Sequence, residues 1–152
     1  MTDIAVPAPE TFRSIETLLG GRAVLRGKPH STLDWVEMIR QGLPAAALGP
    51  LLKAIQLSQS DLARALGIPE RTLARRKREG VLSSEESAKL LRLARVVGRA
   101  TEVFENAQAA VNWLKASNMS LEGKTPLSLL DTDIGAESVL DTLGRIEHGV
   151  FA

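Results

Sequence analysis

The residues of this chain best suited to chemistry are cationic. The stretch LARALGIPERTLARRKREG, residues 62–80, holds six Lys or Arg in nineteen positions. Within it Arg71, Arg75 and Arg78 recur at i, i+4 and i+7, a spacing that gathers them into one ridge on a helix, with Thr72 beside its N-terminal end. Arg75, Arg76, Lys77 and Arg78 are consecutive, and like charges so close destabilise an isolated helix. A phosphate backbone would relieve that repulsion, so the ridge points to nucleic acid; the plainer alternative is a solvated face. Other chemistry finds little support. With no cysteine, thiolate nucleophiles, thiolate metal sites and disulfides are excluded. His30 lies in a Pro-containing loop and His148 at a helix end, where an imidazolium suits the helix dipole, and neither has a second ligand at metal spacing. Glu102, Glu105, Asp131, Asp133, Glu137 and Asp141 read as scattered surface carboxylates, and Gly135, Gly144 and Gly149 form no phosphate-cradling loop. No catalytic residue, metal or cofactor is expected.

The elements that must position the ridge are legible around it. Ser58-Gln59-Ser60-Asp61 starts a short helix, Ser60 to Leu66, that puts Leu62, Ala63 and Leu66 on one face. Gly67 permits the positive φ of a tight turn, Ile68 plugs the space between helices, and Pro69 presets the first turn of a second helix buried through Leu73. Small Ala63 lets the two helices approach. This is the pattern of a helix-turn-helix over residues 58–80, whose second helix presents its N-terminal residues to base edges in the major groove. Arg71, Thr72 and Arg75 are accordingly the base-reading candidates. Gln59, Arg76, Lys77 and Arg78 are the candidates for positioning on the DNA backbone. A bidentate Arg–guanine contact is worth about 1–3 kcal/mol of discrimination. A single such helix binds weakly, so a homodimer on a palindrome is expected, through Phe12–Leu19 or the stripe Leu90–Phe104 unless these pack internally.

The rest of the 152-residue chain reads as mainly α. Apolar residues make up 44% and aromatics only 3%, so the core must be Leu, Ala, Val and Ile. Phe12, Ile15 and Leu19 mark a first helix ended by Gly20-Gly21. Ser31 to Asp34 resembles a capping box in which Asp34 reaches back to the cap N–H. Gly42 supplies a stop, and Pro44 opens a helix of about residues 44–56. Ser83-Ser84-Glu85-Glu86 starts a long helix with a stripe at Leu90, Leu93, Ala94, Val97, Ala100 and Phe104. Ala107 to Leu114, a Thr125-Pro126 turn, and Val139, Leu140, Leu143 and Ile146 mark the remaining helical segments. The only strand-like alternation is RAVLR at residues 22–26. The loop 27–31 and the neighbourhood of Gly98 are the candidate boundaries, giving segments 1–30, 31–99 and 100–152.

Net charge is +1, but it is unevenly spread: residues 61–99 carry 10 basic and 5 acidic groups, and residues 100–152 carry 3 and 8. A basic middle and an acidic end suggest two different partners. No basic leader or apolar span of about 18 residues is visible, so a cytoplasmic protein without a membrane partner is expected. The end, LGRIEHGVFA, runs past Gly149 into apolar Val150, Phe151 and Ala152, where termini are commonly polar. That tail either folds back or inserts into a partner's cleft.

The runs LSQSDLARALGIPERTLARRKREGVLSSEESAKLLRLARV and AVNWLKASNMSLEGKTPLSLLDTDIGAESVLDTLGRIEHGVFA resemble the Xre/MbcA/ParS-type antitoxins, partners of RES-domain toxins. The likeness runs from about Leu19 to the C-terminus, through RTLARRK, LSSEES, a Trp-Leu pair, GKTPLSLL and GRIEHG. It implies an N-terminal helix-turn-helix region that represses its own operon and a C-terminal toxin-binding domain; residues 1–30, which hold Phe12–Leu19, are the N-terminal candidate for dimerisation on the residues alone. It further implies toxins of ADP-ribosyltransferase-like fold that deplete NAD and whose active-site mouth the antitoxin covers. The matching positions are Arg71 to Lys77 for DNA, and for the toxin Trp113 with Leu114, then Arg145, Ile146, Glu147, His148, Gly149, Val150, Phe151 and Ala152. Operator DNA, a RES-domain toxin, a homodimer and a higher toxin–antitoxin complex are the partners so implied. A plain helix-turn-helix repressor, whose C-terminal part binds an effector or oligomerises, is the alternative.

Overall fold

The computed structural model describes residues 10–149. Nine α-helices succeed one another there: α1 Glu10–Leu18, α2 Gly21–Leu25, α3 Thr32–Gln41, α4 Leu48–Ala54, α5 Gln59–Leu66, α6 Glu70–Glu79, α7 Ser84–Phe104, α8 Ala107–Lys115 and α9 Asp133–Glu147. Single 3₁₀ turns occupy Ala45–Ala47, Met119–Leu121 and Pro126–Leu129. Among the described residues there is no strand, only the isolated bridges Pro44–Val81 and Asn118–Lys124. The all-α expectation holds.

Helix α7 organises the rest. Its start is a full capping box: the Ser83 hydroxyl accepts the Glu86 N–H, and the Glu86 carboxylate accepts the Ser83 N–H at 2.9 Å. Leu90, Leu93, Ala94, Val96 and Ala100 are then wholly excluded from solvent, while α1, α3, α5, α8 and α9 all pack around the helix. The one buried hydroxyl of this stretch, Ser87, accepts the Leu43 N–H at 2.8 Å, so the polar group costs nothing by being inside. Ile15 and Leu19 are sealed in the same core. The stripes considered for dimerisation, on α1 and α7, are thus used internally wherever their side chains are described.

Three expectations are corrected. The RAVLR stretch is the one-turn helix α2, closed by Arg26 in the left-handed region at φ 60; five residues of alternation suit a single helical turn equally, and the described residues hold no strand to pair with them. Asp34 accepts the N–H of His30 at 2.7 Å, one residue before the cap, while Ser31 caps the Asp34 N–H as expected. Pro44 is extended, with ψ 137, and precedes its helix. The long helix expected from Ser83 through the stripe to Phe104 is continuous: Gly98 lies buried within α7, whose packing outweighs the roughly 1 kcal/mol that glycine costs a helix. The 99/100 division therefore falls inside one continuous helix.

Candidate nucleic-acid and protein-binding sites

The helix-turn-helix is built by local chemistry. Ser58 caps α5 by accepting the Asp61 N–H, Gly67 ends it at φ 70, and Ile68 donates its N–H back to the Ala63 carbonyl at 3.0 Å. Leu62, Ala63, Leu66, Ile68 and Leu73 are all buried, and Leu73 is the one fully buried residue of α6. A helix that buries so little owes its placement to its neighbours and leaves its polar faces outward.

Arg71, Arg75, Lys77 and Arg78 are exposed on α6, and Thr72 is half-buried. Lys77 donates to the Gln59 side chain at 2.6 Å, which brings a residue at the start of α5 and one from the last turn of α6 to the same spot. Arg76 does not join this group. Its guanidinium turns inward and donates to Glu86 at 2.7 Å and to Glu79 at 2.9 Å, with a quarter of the side chain exposed. Its hydrogen bonds to these carboxylates raise its pKa still further, so its charge is satisfied within the protein. On Glu86, burial is the largest single influence and favours the neutral acid. The bonds from Arg76 and the Ser83 N–H together overcome it and hold the carboxyl below its ordinary range. Glu79 also approaches Arg75 at 3.9 Å. Part of the repulsion inferred from four consecutive cations is therefore relieved internally. Arg71 and Arg78 have no ion-pair partner among the described residues.

The C-terminal region is joined to this unit through one core. Lys89 of α7 donates to the Gly67 carbonyl at 3.3 Å, and a side chain at Gly67 would touch Asp131. Arg92 holds the Leu130 carbonyl at 3.0 Å and Asp133 at 2.8 Å, and Lys115 donates to the Gln56 carbonyl at 2.6 Å. Trp113 is half-buried against Phe104, ring centroids 5.8 Å apart, so one side of the indole belongs to the fold. Arg145, Glu147, His148 and Gly149 are exposed and Ile146 is half-buried. Val150, Phe151 and Ala152 lie outside the described residues. Glu147 makes a bidentate pair with Arg99 at 2.5 and 3.0 Å, whose hydrogen bonds lower the Glu147 pKa and raise that of Arg99. This pair anchors the last turn of α9 to α7. Sequence reasoning missed it because its partners are 48 positions apart. Sequence reasoning also passed over Met119, 89% exposed on a tight loop. The signal was the turn residues Asn118 and Gly123 on either side.

Among the described residues no three His, Asp or Glu side chains are grouped to hold a metal, and no helix is long and apolar enough to cross a membrane. The geometry defines a helix-turn-helix protein whose second, acidic helical module shares its core. Residues 34–95 match the model of the antitoxin Xre-like helix-turn-helix domain, and residues 99–149 that of the antitoxin Xre/MbcA/ParS C-terminal toxin-binding domain. The chain is 34% identical to an antitoxin Xre of Yersinia enterocolitica over 77% of its own length and 80% of the relative's. It is 32% identical to an antitoxin Xre of Photorhabdus laumondii, over 76% and 79% of the two chains. A "Prs ADP-ribosylating antitoxin" of a Sphingobium strain is 28% identical, over 86% and 87%. The protein belongs to the Xre/MbcA/ParS antitoxin family: it is an antitoxin with a helix-turn-helix domain and a toxin-binding domain.

Proposed function

We propose that this antitoxin neutralises an NAD-depleting RES-domain toxin by laying Arg145 to Ala152 across the toxin's active-site mouth, and that it represses its own operon through α6. The observation that carries the first part is the family match of residues 99–149, which ends where the apolar terminal residues begin. The Arg99–Glu147 pair supports it by fixing the root of that segment, so that less ordering remains to be done on binding. The name of the Sphingobium relative points to ADP-ribosyl transfer, a reaction of the NAD-consuming class. The second part rests on Arg71, Thr72 and Arg75, which stand on the N-terminal two turns of α6, with Lys77, Arg78 and Gln59 positioning the helix on phosphates. A homodimer on a palindromic operator completes the arrangement.

Deleting residues 149–152 tests the plug. The truncated protein is expected to bind operator DNA as before and to fail to rescue cells expressing the toxin encoded beside it. Full rescue by the truncated protein overturns the active-site assignment.

A further inference from the structure

The loop between α8 and the Pro126–Leu129 turn is more elaborate than a connection requires. Asn118 donates its N–H to the Lys124 carbonyl at 3.0 Å and accepts the Gly123 N–H at 2.9 Å. Its side chain also accepts the Ser120 N–H at 2.9 Å, and Glu122 is held at φ 58, a left-handed conformation that non-glycine residues seldom adopt. Leu121 is buried and pins the loop to the core, and the loop packs on α9. Its neighbour Met119 points the other way, 89% exposed. A chain tied down this firmly around an outward apolar side chain has already lost the entropy that binding would otherwise cost.

A cavity of about 350 Å³ lies between this loop and α9, lined by Leu121, Glu122, Lys124, Asp141 and Arg145. Asp141 and Arg145 also line the adjoining cleft that reaches His148. One surface thus runs from the loop, across the groove, to the root of the terminal segment, and all of it lies within the residues matched to the toxin-binding domain.

We infer that Met119 is a second anchor for the toxin: it enters an apolar socket on the toxin's rim while Arg145 to Ala152 cover the active site, with both charge signs of the groove facing the rim between them. Occupancy by the toxin follows from this continuity, and the inference rests on the function proposed above. The loop supplies affinity, and the terminal segment supplies inhibition. Methionine suits the task because its flexible thioether adapts to an irregular socket.

The test uses the full-length antitoxin, the toxin encoded beside it and calorimetric titration. Met119→Ala is expected to weaken binding about tenfold and Met119→Glu about a hundredfold, in line with a central anchor residue. Met119→Leu should stay within about threefold. The melting temperature and operator affinity should not change, because the side chain is in solvent. Leu33→Glu, on an apolar residue of α3 that is 76% exposed and lies outside the domain, should bind as the parent does. Met119→Glu binding within about twofold of the parent, or Leu33→Glu weakening binding equally, overturns the inference. Loss of rescue on deleting residues 149–152 while Met119→Glu binds normally sinks the loop alone. Absence of any complex with the toxin sinks both readings.

Discussion

The same substitution at two positions of α9 should have opposite effects. Gly→Ala within a helix ordinarily stabilises by about 0.5–1 kcal/mol, because glycine has more backbone freedom to lose on folding. At Gly144 the new methyl group would meet nothing within 4 Å, so that gain should appear in full. At Gly135 the methyl would fall far inside van der Waals contact with the Leu129 carbonyl oxygen and 2.9 Å from the Thr132 hydroxyl. The first of these is backbone and cannot swing aside. Relief requires the Pro126–Leu129 turn to shift, at a cost of about 1–3 kcal/mol. The shift also disturbs the Thr132 cap on the Gly135 N–H, worth about 0.5–2 kcal/mol. A net loss of about 2 kcal/mol is expected, which for a chain of this size lowers the melting temperature by roughly 4–8 °C. Gly144→Ala should instead raise it by roughly 1–4 °C. Thermal denaturation followed by circular dichroism at fixed protein concentration decides the matter. A Gly135→Ala protein as stable as the parent would refute the close approach of α9 and the turn.

The other expectations concern α6. Arg71→Ala and Arg75→Ala should abolish the preference for operator over random duplex in a salt-titrated mobility shift. Arg78→Ala should weaken binding to every sequence and reduce the slope of log K against log salt by about 0.9. Arg76→Ala should leave that slope unchanged and lower the melting temperature, since its partners are Glu86 and Glu79; a reduced slope would return Arg76 to the DNA face. The lowered pKa of Glu86 means that its ionised form stabilises the fold above the unfolded value of about 4.3, and that this contribution is lost as pH falls through the lower folded value. Glu86→Gln should therefore melt lower at pH 7 and lose less stability than the parent on acidification. Parallel pH profiles for the two proteins would contradict this.

What could be read from the sequence was what is decided within a few residues. Ser58, Ser83 and Thr125 cap the N–H groups three positions on, and Gly67 turns the chain, because the chemistry involved is local. The exposed ridge of α6 followed from the same logic. The inward turn of Arg76 was not legible because Glu86 serves twice: its place in the capping box was visible, but its reach back across ten residues to a guanidinium depends on how α6 meets α7. Arg99 and Glu147 meet only because α9 lies along α7, and no pattern in either segment announces the other. Gly98 served as a candidate boundary even though the apolar stripe already ran past it to Phe104. Here its neighbours Val96, Val97 and Ala100 are buried on every side, and tertiary packing overrides glycine's poor helix preference. Met119 drew no notice since a lone methionine in a turn carries no periodicity.

The passage of α7 through both regions has a consequence for how this protein disappears. The helix packs on α5, holds Arg76 of α6 through Glu86 and carries α9, so a nick or an opening anywhere along it strips support from both ends together. Loss of the helix-turn-helix and loss of the C-terminal module are then one event and not two. Hydrogen exchange should accordingly find the amides of α5 and α9 opening with a common free energy, and two separate values would show that the halves can be lost one at a time.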